Sequence, residues 1–434
     1  VIAALPDMQG RLLGKRFQAE HFVATAWQET HCCNYLVATD MEMETVAGYA
    51  ATSWSAGYGD YTMIPDLATL RRTPWAEGTA LVLCDLVDHH SQQPVAHSPR
   101  AVLQQQVARL RALGLSTAVA TELEFFVFRE DFETLRDQAY RDMTTISAYN
   151  EDYHLFQTSK EENLMRAIRT GLQGAGINVE NTKGEACAGQ AEINVQYCDA
   201  LEMADNHAIL KHAVKEIALR NGHAVSFMAK WDTDAAGSSS HIHQSLRGED
   251  GAPVFYDASK NHGMSDTMCH YLAGLLTYAD DITFFLAPYI NSYKRFAEST
   301  FAPTRAVWSI DNRTAGYRIV APESASVRIE CRVGGSDLNP YLAIAAQLAA
   351  GLKGMEEQLQ LEDALVGNAY EADGARDIPR TLRAAAVALR SSSMLREAMG
   401  DAVVDHYVRC AEWEQEDFDR KVTDYERKRC FERA

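Results

Sequence analysis

The sequence predicts an α+β protein, with short strands in the first ninety-odd residues and alternating helices and strands afterwards. The early segment consists of short apolar runs separated by turns, and the run at 80–85 is typical of a buried strand. From residue 101 apolar residues recur at helical spacing, and an apolar strand follows at 117–128. These patterns predict a small strand-rich domain at 1–97 and a larger domain at 98–434.

The later chain alternates helical periodicity with strand-like alternation. Helices are predicted at about 160–175, 200–222, 264–287, 340–358 and 377–399, followed by a charged C-terminal helix. The alanine- and leucine-rich run at 341–352 is too short to span a bilayer, so we expect a buried helix and no membrane contact. The start lacks a charged leader, which predicts no signal peptide.

The composition is that of an acidic globular protein. Hydrophobic residues make up 47% and charged residues 23% of the 434, which excludes disordered, collagen-like and coiled-coil classes. The formal charge of -19 opposes long contact with a phosphate backbone, so we expect no nucleic-acid partner. Nine scattered cysteines without C-x-x-C spacing predict free thiols and a cytoplasmic, reducing location.

Four strand-like segments carry ionisable residues on one face, since residues two apart in a strand share a face. The sets are Glu122 and Glu124; Glu185 and Glu192, which bracket a turn; His241, His243 and Ser245; and Arg328, Glu330 and Arg332. One such face is usually a solvated surface. If the four converge, about five carboxylates and one or two imidazoles form a ligand set suited to Mg²⁺ or Mn²⁺. The arginines suit a polyphosphate substrate, because phosphoryl transfer depends on charge neutralisation.

A second basic cluster follows, with Arg295, Arg313 and Arg318. Each of these arginines alone is more often part of a surface ion pair than of a ligand site. The chain has no Walker A sequence, no G-x-G-x-x-G after a strand and no G-x-S-x-G. A bound nucleotide would therefore be held without the usual phosphate loops.

Together these motifs resemble those of the glutamine synthetases. E-L-E-F in a strand, G-Q-x-E, S-x-H-I-H, N-S-Y-K-R, N-R-T, R-I-E-C-R and N-P-Y-L-A occur in the family's order, from near Lys15 to the C-terminal helix. The resemblance implies a β-grasp domain at 1–97 and a catalytic α/β domain with a curved antiparallel sheet at 98–434. It implies L-glutamate, ATP and an amine as substrates, and two or three Mg²⁺ or Mn²⁺ ions per site. It also implies a homo-oligomer, usually a dodecamer of two hexameric rings with each site formed between neighbours.

The resemblance also assigns roles to individual residues. The implied metal ligands are Glu124, Glu185 and Glu192 at one position and Glu122, His241 and Glu330 at the other. The implied ATP contacts are Glu180, His243, Ser245, Arg313, Arg318 and Arg328. The implied glutamate contacts are Gly237, Arg295 and Arg332, and the implied catalytic residues are Arg313, Glu330 and Arg332. In the implied mechanism the glutamate γ-carboxylate attacks the γ-phosphorus of ATP, and an amine then displaces phosphate from γ-glutamyl phosphate.

The chain departs from the ammonia-using members at the amine pocket, to which we assign Phe301 and Asp60. Those members carry F-D-G-S-S in the N-terminal domain, which is absent from residues 39–60, and a flap glutamate where this chain has Phe301. A pocket without both carboxylates and with an aromatic ring should bind ammonium poorly and accept an amine that carries carbon. G-K-R, P-T-x-x-x-W and N-R-T resemble γ-glutamylpolyamine, γ-glutamylputrescine and γ-glutamylethanolamide synthetases. We therefore predict a ligase that joins an alkylamine or polyamine to glutamate.

Three alternatives stay open at this point. The first is glutamine synthetase proper, with ammonia as the acceptor. The second is a catalytically silent structural or regulatory relative, since a fold does not fix a function. The third is a two-metal phosphohydrolase, which also needs clustered carboxylates but does not need paired arginines for an amino-acid substrate.

Overall fold

The computed structural model describes all 434 residues as two β-sheets with helices packed around them. The strands are β1 (Ile2–Pro6), β2 (Leu12–Arg16), β3 (Thr30–Cys33), β4 (Asp60–Pro65), β5 (Arg71–Arg72), β6 (Ala80–Asp88), β7 (Leu115–Phe128), β8 (Val179–Gly184), β9 (Gln190–Val195), β10 (Ala224–Ser226), β11 (Ser240–Gly248), β12 (Trp308–Ile310), β13 (Tyr317–Val320) and β14 (Arg328–Cys331). The helices are α1 (Ala19–His21), α2 (Pro99–Ala112), α3 (Phe132–Asp137), α4 (Leu155–Thr158), α5 (Glu162–Gly174), α6 (Ala200–Arg220), α7 (Asp266–Thr277), α8 (Ala279–Leu286), α9 (Pro340–Glu356), α10 (Leu382–Ser391), α11 (Ser393–Met399), α12 (Asp401–Arg420) and α13 (Asp424–Cys430).

The first sheet is built entirely from the N-terminal strands. Its order is β2-β1-β6-β4-β3, and β5 pairs with β6. β1 and β6 run parallel, and the other pairs are antiparallel. The predicted buried strand at 80–85 lies in β6, at the centre of this sheet. The domain boundary at 97/98 stays a prediction.

The second sheet carries the ionisable strand faces. Its order is β12-β13-β14-β11-β7-β9-β8, and β10 pairs with β7. All its pairs are antiparallel except β12 with β13. β7, predicted at 117–128, lies between β11 and β9, so the sheet brings together strands that are far apart in the chain.

Three of the predicted helices are each divided in the structure. The helix predicted at 264–287 breaks at Tyr278, whose backbone angles (φ -102, ψ 19) are not helical. The helix predicted at 377–399 breaks at Ser392, because the Ser392 side chain accepts a hydrogen bond from Leu395 N and begins α11. The C-terminal helix likewise divides into α12 and α13. A capping box stabilises the start of α13 as a separate helix.

Arg100 joins the N-terminal strands to the helices of the second sheet. It is only 1% exposed. Its guanidinium contacts Asp66 at 2.7 Å and Asp85 at 2.5 Å, both from the N-terminal segment, and Asp205 on α6 at 3.1 Å. A buried charge is tolerated only when it is paired in this way. No helix combines the length and apolar character that a membrane span requires.

Candidate active site

The strand register places acidic and imidazole side chains opposite one another on one face of the second sheet. Glu122 on β7 lies opposite His241 on β11. Glu124, two residues along β7, lies opposite Glu192 on β9. Side chains two apart and side chains directly opposite share a face, so these four groups project to the same side of the sheet.

Glu124, Glu185 and Glu192 form a carboxylate cluster, with one oxygen of each within 4.8 Å of the others. Glu124 accepts hydrogen bonds from Ser239 N at 2.7 Å and from Gln190 Nε2 at 3.2 Å. Burial and then the charge of Glu185 raise the pKa of Glu124 to about 8. Burial and then the neighbouring carboxylates raise the pKa of Glu192 to about 9. A divalent cation held by these three oxygens would relieve their repulsion, which fits a Mg²⁺ or Mn²⁺ position.

Glu122 forms a second cluster with the two histidines and Glu330. Glu122 Oε2 lies 3.0 Å from His241 Nδ1, and its Oε1 lies 2.9 Å from His243 Nε2. Glu330 Oε1 lies 3.6 Å from His241 Nδ1. Glu122 and Glu330 offer atoms within 4.8 Å of His243, so His243, predicted as an ATP contact, lies as close to this cluster as His241 does.

His241 is held in a form that suits a metal ligand. Burial and then the charge of Arg332 lower its pKa, so the imidazole is neutral. Its Nδ1 lies 3.0 Å from Glu122 and 3.6 Å from Glu330, so a cation shared with these carboxylates would bind Nδ1. The proton would then be on Nε2, which is buried and has no hydrogen-bond partner. A neutral imidazole nitrogen that keeps its lone pair is the form that binds a metal ion. Carboxylates together with one imidazole suit Mg²⁺ or Mn²⁺.

Glu330 lies between two arginines. Arg332 Nη1 contacts its Oε1 at 2.5 Å, and Arg318 Nη1 contacts its Oε2 at 2.9 Å. Burial opposes the charge of Glu330, but the neighbouring side chains, first of all the positive charge of Arg332, outweigh burial and lower its pKa to about 2. Burial likewise opposes the charge of Glu122, and hydrogen bonds from His241 and His243 outweigh it and lower its pKa. Both carboxylates are therefore ionised at neutral pH.

A cavity of about 400 Å³ opens beside this cluster. It is lined by Glu122 and by four of the predicted ATP contacts, Glu180, His243, Ser245 and Arg328. Arg328 Nε also donates to His243 Nδ1 at 3.3 Å. The other two predicted ATP contacts, Arg313 and Arg318, do not line the cavity. The structure thus places four of the predicted ATP contacts at the cavity and Arg318 beside Glu330, while Arg313 lies apart from both.

Gly237 and Arg295, predicted to bind glutamate, pack against each other. Arg295 is 2% exposed and donates to the carbonyls of Val333 at 2.9 Å and Arg332 at 2.8 Å. Its Nε is buried and unpartnered. A Cβ at residue 237 would lie 2.5 Å from Arg295 Cγ, so glycine is required there. The Nε N–H of Arg295 therefore keeps an unused donor, the kind of group through which guanidinium side chains bind carboxylates.

Three predicted residues lie apart from these clusters within the chain. Asp60 begins β4 in the other sheet, is exposed, and makes no side-chain hydrogen bond or ion pair. Phe301 is 57% exposed in the connection between α8 and β12. Arg313 is exposed, and its side chain has no hydrogen-bond or ion-pair partner. An amine pocket shared by Asp60 and Phe301 stays a prediction.

Sequence reasoning missed the amides that hold the carboxylates. Asn194 Nδ2 donates to Glu192 Oε1 at 2.8 Å, and Gln190 Nε2 donates both to Glu124 and to Gly237 O. The sequence does contain a pattern that could have predicted them. Gln190, Glu192 and Asn194 lie two residues apart along β9, so their side chains are on the same face of this strand.

Comparison with known proteins identifies this arrangement. Residues 96–430 match the family described as glutamine synthetase, catalytic domain. The chain belongs to the glutamine synthetase family. The predictions of this family, of its α+β fold and of a ligase that joins an amine to glutamate are confirmed.

Two relatives in the glutamine synthetase family align over nearly the whole chain. γ-Glutamylethanolamide synthetase GlnA4 of Streptomyces coelicolor is 46% identical over 434 residues, covering 100% of this chain and 92% of the relative. Glutamate–isopropylamine ligase of a Pseudomonas species is 35% identical over 97% of this chain and 92% of the relative. The ligand-free structure of GmaS has a TM-score of 0.87 at 25% identity, covering 99% of this chain and 96% of that one.

Proposed function

We propose that this protein joins a small alkylamine, rather than ammonia, to the γ-carboxylate of L-glutamate at the expense of ATP. The observation that carries the proposal is Phe301, an exposed aromatic side chain on the loop that follows Arg295. Ammonia-using relatives are expected to place a carboxylate at this position. Two relatives, whose names specify an ethanolamide product and isopropylamine as a substrate, support a carbon-bearing acceptor.

We assign two divalent cations to the clustered ligands. Glu124, Glu185 and Glu192 would hold one. Glu122, His241 and Glu330 would hold the other, supported by the contacts of His241 with both carboxylates. His243 lies within 4.8 Å of the same two carboxylates. When bound, Mg²⁺ or Mn²⁺ supplies positive charge that offsets the phosphates of ATP. The nucleotide would occupy the cavity lined by Glu180, His243, Ser245 and Arg328. This cavity opens directly beside Glu122, a proposed metal ligand, so the phosphates of the nucleotide would lie near the cation.

Four arginines are assigned to the negative charges of glutamate and of the transferred phosphoryl group. The free Nε of Arg295 and the side chain of Arg332 would pair with the carboxylates of glutamate. Arg313 has an unpaired guanidinium, so it is free to neutralise the transferred phosphoryl group. Arg318, which contacts Glu330, would supply further positive charge near the phosphates.

The reaction then has two covalent steps. A γ-carboxylate oxygen of glutamate bonds to the γ-phosphorus of ATP, and ADP leaves with the electron pair of the broken P–O bond. The amine nitrogen next bonds to the γ-carbon, phosphate leaves with the electron pair of the broken C–O bond, and the nitrogen loses a proton. Arginines and divalent cations suit this sequence because a carboxylate must approach a polyanion.

We further propose a cytoplasmic homo-oligomer, with a dodecamer of two hexameric rings as the expected form. Asp60 lies on the first sheet while the ligand clusters lie on the second, which supports an amine pocket completed by Asp60 of a neighbouring copy. Light scattering coupled to gel filtration measures the assembly. Activity that appears when inactive Asp60 and Glu330 variants are mixed would support shared sites.

An amine panel tests the proposed acceptor. Phosphate release is measured with ATP, Mg²⁺ and glutamate, in the presence of ammonium, ethanolamine, isopropylamine, putrescine or spermidine. We expect kcat/KM for one carbon-bearing amine to exceed that for ammonium by about tenfold or more, the discrimination that a hydrophobic pocket provides. Ammonium equal to or better than every other amine would make the protein a glutamine synthetase proper.

The same assay separates the remaining alternatives. ATP consumption that does not depend on glutamate would indicate a phosphohydrolase. Calorimetry with Mn²⁺ and ATP is the second measurement. Absence of both turnover and binding would indicate a silent relative.

A further inference from the structure

Residues 367–370, here called the Tyr370 strap, contact the two loops that carry Phe301 and Arg313. Tyr370 is 8% exposed, and its hydroxyl donates to the carbonyl of Ala302 at 3.0 Å. Ala302 directly follows Phe301 and is itself buried. The strap therefore holds the point at which the exposed loop carrying Phe301 returns to the protein interior.

The other contacts of the strap lie on both sides of Arg313. Asn312 Nδ2 donates to the carbonyl of Gly367 at 2.7 Å. Ala369 N donates to Thr314 Oγ1 at 3.0 Å. Asn312 and Thr314 flank Arg313 in the sequence. The loop proposed to assist phosphoryl transfer and the loop proposed to bind the amine are thus tied to the same four residues.

The strap is internally ordered. Asn368 Oδ1 accepts a hydrogen bond from Tyr370 N at 3.1 Å and so begins a short helical turn. Ala369 is fully buried and packs with Val307 and Ala315. Burial raises the pKa of Tyr370, while the charges of Arg295 and Arg332 oppose the rise. The phenol is therefore a neutral donor that lies in the field of the two arginines proposed to bind glutamate.

The loop at 298–303 depends on this contact. The hydrogen bonds that join these residues to a residue distant in sequence all go to Tyr370: its hydroxyl donates to Ala302 O, and the backbone of Thr300 and Phe301 also interacts with the phenol. Within the loop, Ser299 (φ 61) and Phe301 (φ 58) have left-handed backbone angles. Non-glycine residues hold such angles only where their surroundings enforce them. One phenol thus supports the conformation that presents Phe301.

We propose that Tyr370 is a positioning residue for amine binding. Its hydroxyl holds the loop that presents Phe301, and the strap aligns that loop with the loop carrying Arg313. The inference rests on the proposed function, in which Phe301 lines the amine pocket. Tyr370 acts through this loop and touches no reacting atom.

Tyr370→Phe removes only the hydroxyl, and it is compared with Tyr407→Phe as a matched control. Tyr407 is buried, and its hydroxyl also donates to a backbone carbonyl, that of His97 at 2.7 Å, on a different face of the core. We expect Tyr370→Phe to raise the KM for the best amine by about fivefold or more, the loss expected for one hydrogen bond. The KM values for glutamate and ATP should stay within about twofold, and Tyr407→Phe should leave all three unchanged.

Hydrogen exchange provides a readout that does not depend on the amine. The amides of Ala369 and Tyr370 are hydrogen bonded and should exchange faster in Tyr370→Phe than in Tyr407→Phe or the parent protein. An unchanged amine KM in Tyr370→Phe would overturn the inference, and so would equal rises in all three KM values. If ammonium is the best acceptor of the parent protein, the proposed acceptor fails. A selective rise in the KM for ammonium together with faster exchange would still support the positioning role.

Discussion

Glu124 and Glu192 lie directly opposite each other in the register between β7 and β9, so two buried carboxylates meet on one face of the sheet. Like charges opposite one another destabilise a strand pair. The pKa of Glu124 is accordingly raised to about 8 and that of Glu192 to about 9, with burial the larger cause. Two carboxylates that repel each other when ionised therefore lie at the position where we expect a divalent cation.

The first prediction concerns stability without metal. Because burial and repulsion raise the pKa values of Glu124 and Glu192 above those of the unfolded chain, their favourable contribution is complete below about pH 4.5. It is lost as the pH rises through about 8 to 9. We expect the Tm in EDTA to fall over this range and Mn²⁺ or Mg²⁺ to restore it at pH 8. Scanning calorimetry measures both effects, and Glu192→Gln should weaken both. A metal-induced shift of full size in Glu192→Gln would contradict the assignment.

The second prediction concerns Arg313. Since its side chain is exposed and unpaired, Arg313→Ala should leave the Tm unchanged. If Arg313 neutralises the transferred phosphoryl group, kcat should fall by about 10²- to 10³-fold with little change in the KM for ATP. Steady-state kinetics and a thermal melt test both parts. A kcat near that of the parent enzyme would remove Arg313 from the proposed mechanism.

The third prediction concerns the choice of amine. Phe301→Glu places a carboxylate on the loop where ammonia-using relatives are expected to carry one. We expect the ratio of kcat/KM for ammonium to that for the best alkylamine to rise, because a carboxylate favours a small cation. Phe301→Leu, which stays apolar, is the control and should keep the preference for alkylamines. An identical shift in both variants would show that charge at this position does not select the amine.

The fourth prediction concerns Glu151 and Glu161, two buried carboxyls that each keep an unpartnered Oε2. Burial and then the charge of Glu151 raise the pKa of Glu161 to about 8. Its contribution to stability is therefore present below about pH 4.5 and is lost as the pH rises towards 8. Glu161→Gln should raise the Tm at pH 8 and change it little at pH 5. Equal changes at the two pH values would show that Glu161 does not titrate in this range.

The fifth prediction concerns Arg100. Arg100→Met leaves Asp66, Asp85 and Asp205 without their shared partner. Breaking a buried ion pair in this way costs about 3–5 kcal/mol of unfolding free energy. Urea denaturation measures the loss. Arg109→Met on the same helix is the control, because Arg109 pairs with Glu356 at the surface and should contribute far less.

The sequence predicted those features of the site that depend on residues close together in the chain. Period-two alternation marked Glu122 with Glu124 and His241 with His243, because a strand turns every second side chain to the same face. The pairing of Glu122 with His241 joins residues 119 positions apart. Alternation carries no information about such a register, so the grouping came from the family resemblance.

Three other features of the structure could not be predicted from any short stretch of sequence. The bond from Tyr370 to Ala302 spans 68 positions and joins a short helical turn to an irregular loop. The three aspartates around Arg100 come from separate elements of the chain. The break at Tyr278 was missed because the apolar period continues through it, and only its backbone angles show the interruption.

The dependence of the ligand clusters on strand register also has a consequence for redesign. Adding or deleting one residue within β7, β9, β11 or β14 would turn every later side chain of that strand to the opposite face. The loop at 298–303 pairs with no strand, so it tolerates changes in length that the sheet does not. A library aimed at new amine acceptors should therefore vary the length and sequence of this loop while keeping Ala302 and the four strands fixed.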